Sequence, residues 1–164
     1  MIVSLNEIQT TCYRAALGVG LSHGLAEDAS SIVTRLVAGG PGGLATMLRA
    51  LTFADAHRVA APVFALENGT YVARHAVLPA LMAGPVVADL KCADPDAAID
   101  LSLVDEPAVI EACLAAPPQA LPAVAIEVPG GLWQALVALA ARTYVPRSET
   151  SRLMGAGAGL RDND

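Results

Sequence analysis

Val63-Phe64-Ala65-Leu66-Glu67-Asn68-Gly69-Thr70-Tyr71-Val72-Ala73 decides the fold class of this chain. β-Branched and aromatic residues flank Asn68-Gly69, and Asn-Gly tolerates the two positive φ angles of a type I′ turn. The stretch predicts a hairpin with strands over 63–67 and 70–73. It follows a helical beginning, so an all-α bundle is excluded.

Ser4-Leu5-Asn6-Glu7 reads as a capping box, in which Ser4 accepts from the third amide and Glu7 reaches back to the Ser4 amide. Leu5, Ile8, Cys12, Ala15, Ala16 and Val19 then trace one apolar stripe, predicting a helix over 5–17. A second helix is expected over 24–38, with Glu27 and Asp28 in its first turn, where acids favour the positive end of the helix dipole. Leu25, Ala29, Ile32, Val33 and Leu36 form its inward face, and Gly39-Gly40-Pro41 stops it. Leu44, Met47, Leu48 and Leu51 predict a third helix over 43–58, ended by the extended bias before Pro62.

Beyond the hairpin, strands are expected at 86–90, 99–104 and, most clearly, 123–128, with a short helix before the first of them as an option. Asp105-Glu106-Pro107 opens a helix over 107–115, with acid at its positive end and proline at an early position. Gly130-Gly131 precedes a last helix over 131–142. The sum is an α+β domain: an N-terminal three-helix segment followed by a mixed β-sheet with packing helices, with an α/β mixed sheet as the alternative. Residues 1–145 form one domain in this reading, and 146–164 a polar, glycine-rich C-terminal tail.

Of the 164 residues, 54% are hydrophobic, much of that alanine, and 16% are charged, which excludes disorder as a description of the whole chain. So few charges leave little to coat a monomer, making a homo-oligomer or a protein partner an expected covering. Ten Lys and Arg against 16 Asp and Glu give a net charge of −6, which repels phosphate backbones; no nucleic-acid partner is expected. The apolar run over 76–88 is broken by Pro79 and Pro85 and falls short of the roughly 20 residues that span a bilayer, so no membrane partner is expected either. The start lacks a basic region followed by a long apolar one, so a cytoplasmic protein is expected.

Cys12, Cys92 and Cys113 are odd in number and widely spaced, fitting neither a disulfide framework nor a zinc site; reduced, mostly buried thiols are expected. His23, His57 and His75 lack metal-ligand spacing, so no metal site is assigned. Trp133 is read as a core or interface anchor. Glu127 and Glu149 are either an acid/base pair or, by default, solvated acids. Standard nucleotide loops and the Gly-x-Ser-x-Gly elbow of serine hydrolases are absent.

The tail is the candidate site. Gly155, Gly157 and Gly159 permit close backbone approach to a bound group, while Ser148, Ser151, Arg152 and Asn163 supply donors to an anion or carboxylate. Glu149 and Asp162 add carboxylates. Ser4-Leu5-Asn6-Glu7-Ile8, Gly24-Leu25-Ala26-Glu27-Asp28-Ala29 and the ending Pro146-x-Ser148-Glu149-x-Ser151-Arg152-x-x-Gly155-Ala156-Gly157-Ala158-Gly159-x-x-Asp162-Asn163-Asp164 resemble a bacterial family, domain of unknown function 3726. The resemblance implies a cytoplasmic bacterial protein and carries over no catalytic residue and no cofactor. The expected function is binding of a small molecule, or an accessory role in metabolism, with the tail contacting a polar or anionic ligand. A structural subunit of a larger enzyme and an enzyme using the tail carboxylates are the alternatives.

Overall fold

The computed structural model describes residues 1–40, 42–57, 61–74, 77–116 and 125–144. In chain order these form β1 (Ile2–Val3), α1 (Leu5–Gly18), α2 (His23–Ala38), α3 (Gly43–Ala56), β2 (Phe64–Glu67), β3 (Thr70–Ala73), α4 (Ala80–Ala93), β4 (Ala98–Asp100), α5 (Pro107–Leu114), β5 (Ile126–Glu127) and α6 (Gly130–Ala141). The fold is α+β, with the helices forming the bulk of the molecule.

The local chemistry of the first helix is as its sequence requires. Glu7 N donates to Ser4 Oγ at 3.2 Å and Ser4 N donates to Glu7 Oε2 at 2.8 Å, closing the capping box. Those bonds to Ser4 hold the Glu7 carboxyl below its ordinary range. α1 packs between α2 and α6, while α2 also meets α3, α4 and α5. Ile8, Ile32, Met47, Leu51, Ile110 and Leu136, drawn from five helices, are buried in one hydrophobic cluster. β1 pairs antiparallel with β5, and Val128 N donates to Met1 O at 2.8 Å, tying the start of the chain to the start of α6.

The hairpin closes with φ of +48° at Asn68 and +82° at Gly69, as a type I′ turn demands. β2 and β3 pair antiparallel from Phe64↔Ala73 to Glu67↔Thr70, and β4 joins β3 in parallel, so the order is β2-β3-β4 and the sheet is mixed. The register puts Phe64, Leu66, Tyr71, Ala73 and Ile99 on one face. Phe64 and Ile99 pack against the core, whereas Leu66 is 62% exposed.

Several expectations are corrected. Residues 86–90 are not a strand but the second half of α4, which carries Pro85 in its interior. Pro85 removes one helical hydrogen bond, yet Leu81, Ala83 and Val87 are buried, and that burial holds the helix. The strand expected over 99–104 spans only Ala98–Asp100, because the Asp100 carboxylate accepts from Ser102 N at 2.9 Å and turns the chain. The strand expected over 123–128 is Ile126–Glu127 among the described residues, 123 and 124 lying outside them. Ser22 caps α2, accepting from Leu25 N at 3.4 Å, so Glu27 and Asp28 fall in the second turn, past the reach of the terminal dipole.

Candidate functional site

The link from α2 to α3 is glycine on both sides: Gly39-Gly40 ends one helix and Gly42-Gly43 begins the next. Gly40 takes φ of +141°, a conformation closed to residues with a Cβ. At Gly43 a Cβ would run into the Leu36 carbonyl, so only glycine lets the start of α3 press against the last turns of α2. The N-cap of α3 is Gly42, which has no side chain to accept from the first-turn amides.

That glycine-lined end forms one wall of a cleft of about 500 Å³. Arg35 and Leu36 of α2, Thr46 of α3 and Ala108, Glu111, Ala112 and Ala115 on and beside α5 complete it. Arg35 is half-buried and forms neither a hydrogen bond nor a contact ion pair with another described residue. The cleft's width is fixed beside it: Arg49 grips Glu106 through Nε at 2.5 Å and Nη2 at 3.2 Å, and Nη2 also donates to Thr46 Oγ1 at 3.1 Å. This two-pronged pair ties α3 to the start of α5. It also consumes Glu106, which therefore does not cap α5; no acid lies in the first turn of α5.

Asp105, expected at the same helix start, serves another helix. Its Oδ1 accepts from Ala80 N at 2.6 Å, capping α4, whose own N-cap residue is Pro79. Its Oδ2 is buried without a partner among the described residues, and burial pushes the carboxyl above its ordinary range against the pull of the amides around it.

A smaller cleft of about 230 Å³ lies on the other side of Arg35, lined also by Asp28, Ser31, Ile32, Pro85, Ala88 and Cys113. Burial, and then the charges of Glu27 and Asp89, push the Asp28 carboxyl up, while Arg35 pulls it down. The Cys113 thiol is pushed up to about 11 by burial and then by Asp28. Cys12 is fully buried, as expected, and burial alone raises its thiol. Cys113 is half-buried, while Cys92 is exposed, against the expectation of mostly buried thiols. The three are unpaired.

Ser148, Glu149, Ser151, Arg152, Gly155, Gly157, Asp162 and Asn163 lie outside the described residues, as does His75. Tyr13 Oη and His23 Nδ1 are 2.8 Å apart, and His57 stacks on Phe53 with ring centroids 4.0 Å apart. Among the described residues no group of three or more His, Cys, Asp or Glu is placed to hold a metal. Trp133 is half-buried against the core, in keeping with its reading as an anchor. Sequence reasoning took Gly39-Gly40-Pro41 as a helix stop and did not single out Arg35. The available signal was an arginine one turn before a glycine-lined link between two helices.

No helix among the described residues is long and apolar enough to cross a membrane. No curated protein and no solved structure matches the chain. The family model described as Protein of unknown function (DUF3726) matches residues 3–108. The match takes in Ser4–Ile8, Gly24–Ala29, Arg35 and the glycine link, and stops short of Glu111 and the tail. Since it covers well over half of the 164 residues, the chain belongs to this family of proteins of unknown function.

Proposed function

We propose that this is a small-molecule-binding protein whose ligand sets an anionic group, carboxylate or phosphate, in the cleft between α2, α3 and α5. The observation that carries the reading is Arg35: a half-buried arginine with no bonded partner among the described residues, lining a cleft that also holds the start of α3. A guanidinium offers a planar fork of donors that suits both anions, and the start of α3 beside it adds the positive end of a helix dipole. Glu111 on the facing wall accepts from hydroxyl or amide groups, which favours a ligand that also carries hydrogen-bond donors.

Titration calorimetry of the full-length protein with inorganic phosphate and acetate is the direct test. Arg35→Gln removes a charge-assisted interaction worth about 1.5–3 kcal/mol, so affinity falls by roughly 10- to 150-fold. Unchanged affinity in that variant, or no heat with either anion, rejects the reading. The tail remains part of the proposal: Ser148, Ser151, Arg152 and Asn163 are read as further ligand contacts, and Arg152→Ala in the same titration asks this of the tail.

A second reading is a structural subunit that associates with itself or a larger enzyme. It is favoured by apolar side chains at the surface, Leu66 at 62% and Val63 at 49% exposed, on or beside one edge strand. We also read the protein as cytoplasmic and bacterial, supported by three unpaired thiols and by the family resemblance.

A further inference from the structure

We propose that the ligand is dipolar: its anionic group rests on Arg35 and the start of α3, and its chain runs past Arg35 into the smaller cleft, where an amine meets Asp28. This rests on the anion reading above and goes beyond it by naming the other end of the ligand.

The two clefts are not independent, because Arg35 lines both. On α2 their linings, Asp28, Ser31, Ile32, Arg35, Leu36 and Gly39, recur at three- and four-residue steps, which places them on one stripe of the helix. The two clefts follow one another along that stripe with Arg35 between them, and Pro85 and Ala88 of α4 and Cys113 of α5 line the smaller one opposite α2. The two ends of this run have opposite charge. Arg35 and the positive end of the α3 dipole stand at one end, and Asp28 at the other, with Glu27 and Asp89 near enough to add negative potential. Asp28 feels Arg35 through space but makes no contact ion pair with another described residue, so a cation brought there adds the direct contact that Arg35 does not make.

The geometry also sets the ligand's length. Asp28 and Arg35 are seven residues apart, about 10 Å along the axis at a rise of roughly 1.5 Å per residue. Helical side chains lean toward the N-terminus, so the long Arg35 side chain shortens the gap between the charges. A chain of about four carbons between amine and phosphate suits what remains.

The probes are 4-aminobutyl phosphate and butyl phosphate, titrated into the full-length protein. The expected result is about threefold tighter binding of the amine, the size of an exposed ion pair. That advantage disappears in Asp28→Asn, while butyl phosphate binds the variant as it binds the wild type. Equal affinity of the two probes, or an advantage that survives Asp28→Asn, overturns the inference and leaves the anion site standing. Binding of neither probe removes the anion site and the inference with it. Cys113 gives an independent readout. In Cys92→Ser, with Cys12 buried, maleimide labelling of Cys113 at pH 8.5 is slowed by saturating 4-aminobutyl phosphate and not by inorganic phosphate. Equal rates with both again overturn it.

Discussion

At Asp105 a single carboxylate does the work of a helix cap from outside the helix it caps. Its Oδ1 takes the Ala80 amide of α4 while its Oδ2 is buried with no partner among the described residues. Removing the side chain in Asp105→Ala leaves that part-buried amide unpaired, and a loss of about 1–3 kcal/mol in a urea denaturation series is expected. Asp105→Asn keeps an oxygen acceptor and removes the buried charge, so it separates the two effects. Burial raises the folded-state carboxyl above its ordinary value of 3.8. The folded state then binds the proton more tightly than the unfolded one, so this group's stabilising contribution is fully present below 3.8 and is lost as pH rises through the folded-state value. Relative to Asp105→Asn, the wild type should therefore lose stability between about pH 3.8 and the raised value and hold a constant difference above it. A difference between the two proteins that does not change with pH argues that the carboxyl is not raised.

At the scale of elements, α1 and α6 come into close contact at Gly18. A Cβ on Gly18 would meet the Leu139 carbonyl, which belongs to helix backbone and cannot swing aside. Alanine normally strengthens a helix relative to glycine, but here overpacking reverses the sign, and Gly18→Ala is expected to cost about 1–3 kcal/mol. Gly24→Ala in α2, where a Cβ meets nothing within 4 Å, is expected to be neutral or slightly stabilising. Thermal denaturation followed by circular dichroism compares the two, and equal melting temperatures would show that α1 and α6 are less closely packed. The same contrast explains what the sequence disclosed. α1, α2 and α3 were legible because each buries one face and exposes the other, and the hairpin because Asn68-Gly69 names its turn. α4 was not, since its first turns are buried on every side: Ala80, Leu81, Met82, Ala83 and Gly84 show no period to read, and Pro85 stands inside the helix, where proline is disfavoured. The cleft was hidden for a related reason. Its glycines announce a tight link, but no local pattern tells that α5, more than 60 residues along, returns to face Arg35.

For the whole molecule the question is what covers so weakly charged a surface. With 16% charged residues and a net charge of −6, the chain has few groups with which to solvate itself. α6 carries no charged residue at all, yet Val137 is 41% exposed on it, and Leu66 stands out from the hairpin on the face whose other end enters the core. The subunit reading places a second copy or a partner on one of these faces, whereas the ligand reading needs neither. Light scattering on the full-length chain at tens of micromolar tests the second copy: self-association predicts a mass of at least twice 16.7 kDa. Val137→Asp and Leu66→Asp then report which face is used, because a charge introduced at the centre of an apolar contact dissociates it, while the same charge on free surface changes stability by roughly 0.5 kcal/mol or less. Removing residues 146–164 asks whether the tail is an arm onto the neighbour. A mass that falls with the truncation favours the arm. A mass that stays above the monomer, combined with loss of anion binding, assigns the tail to the ligand and leaves association to the folded surface.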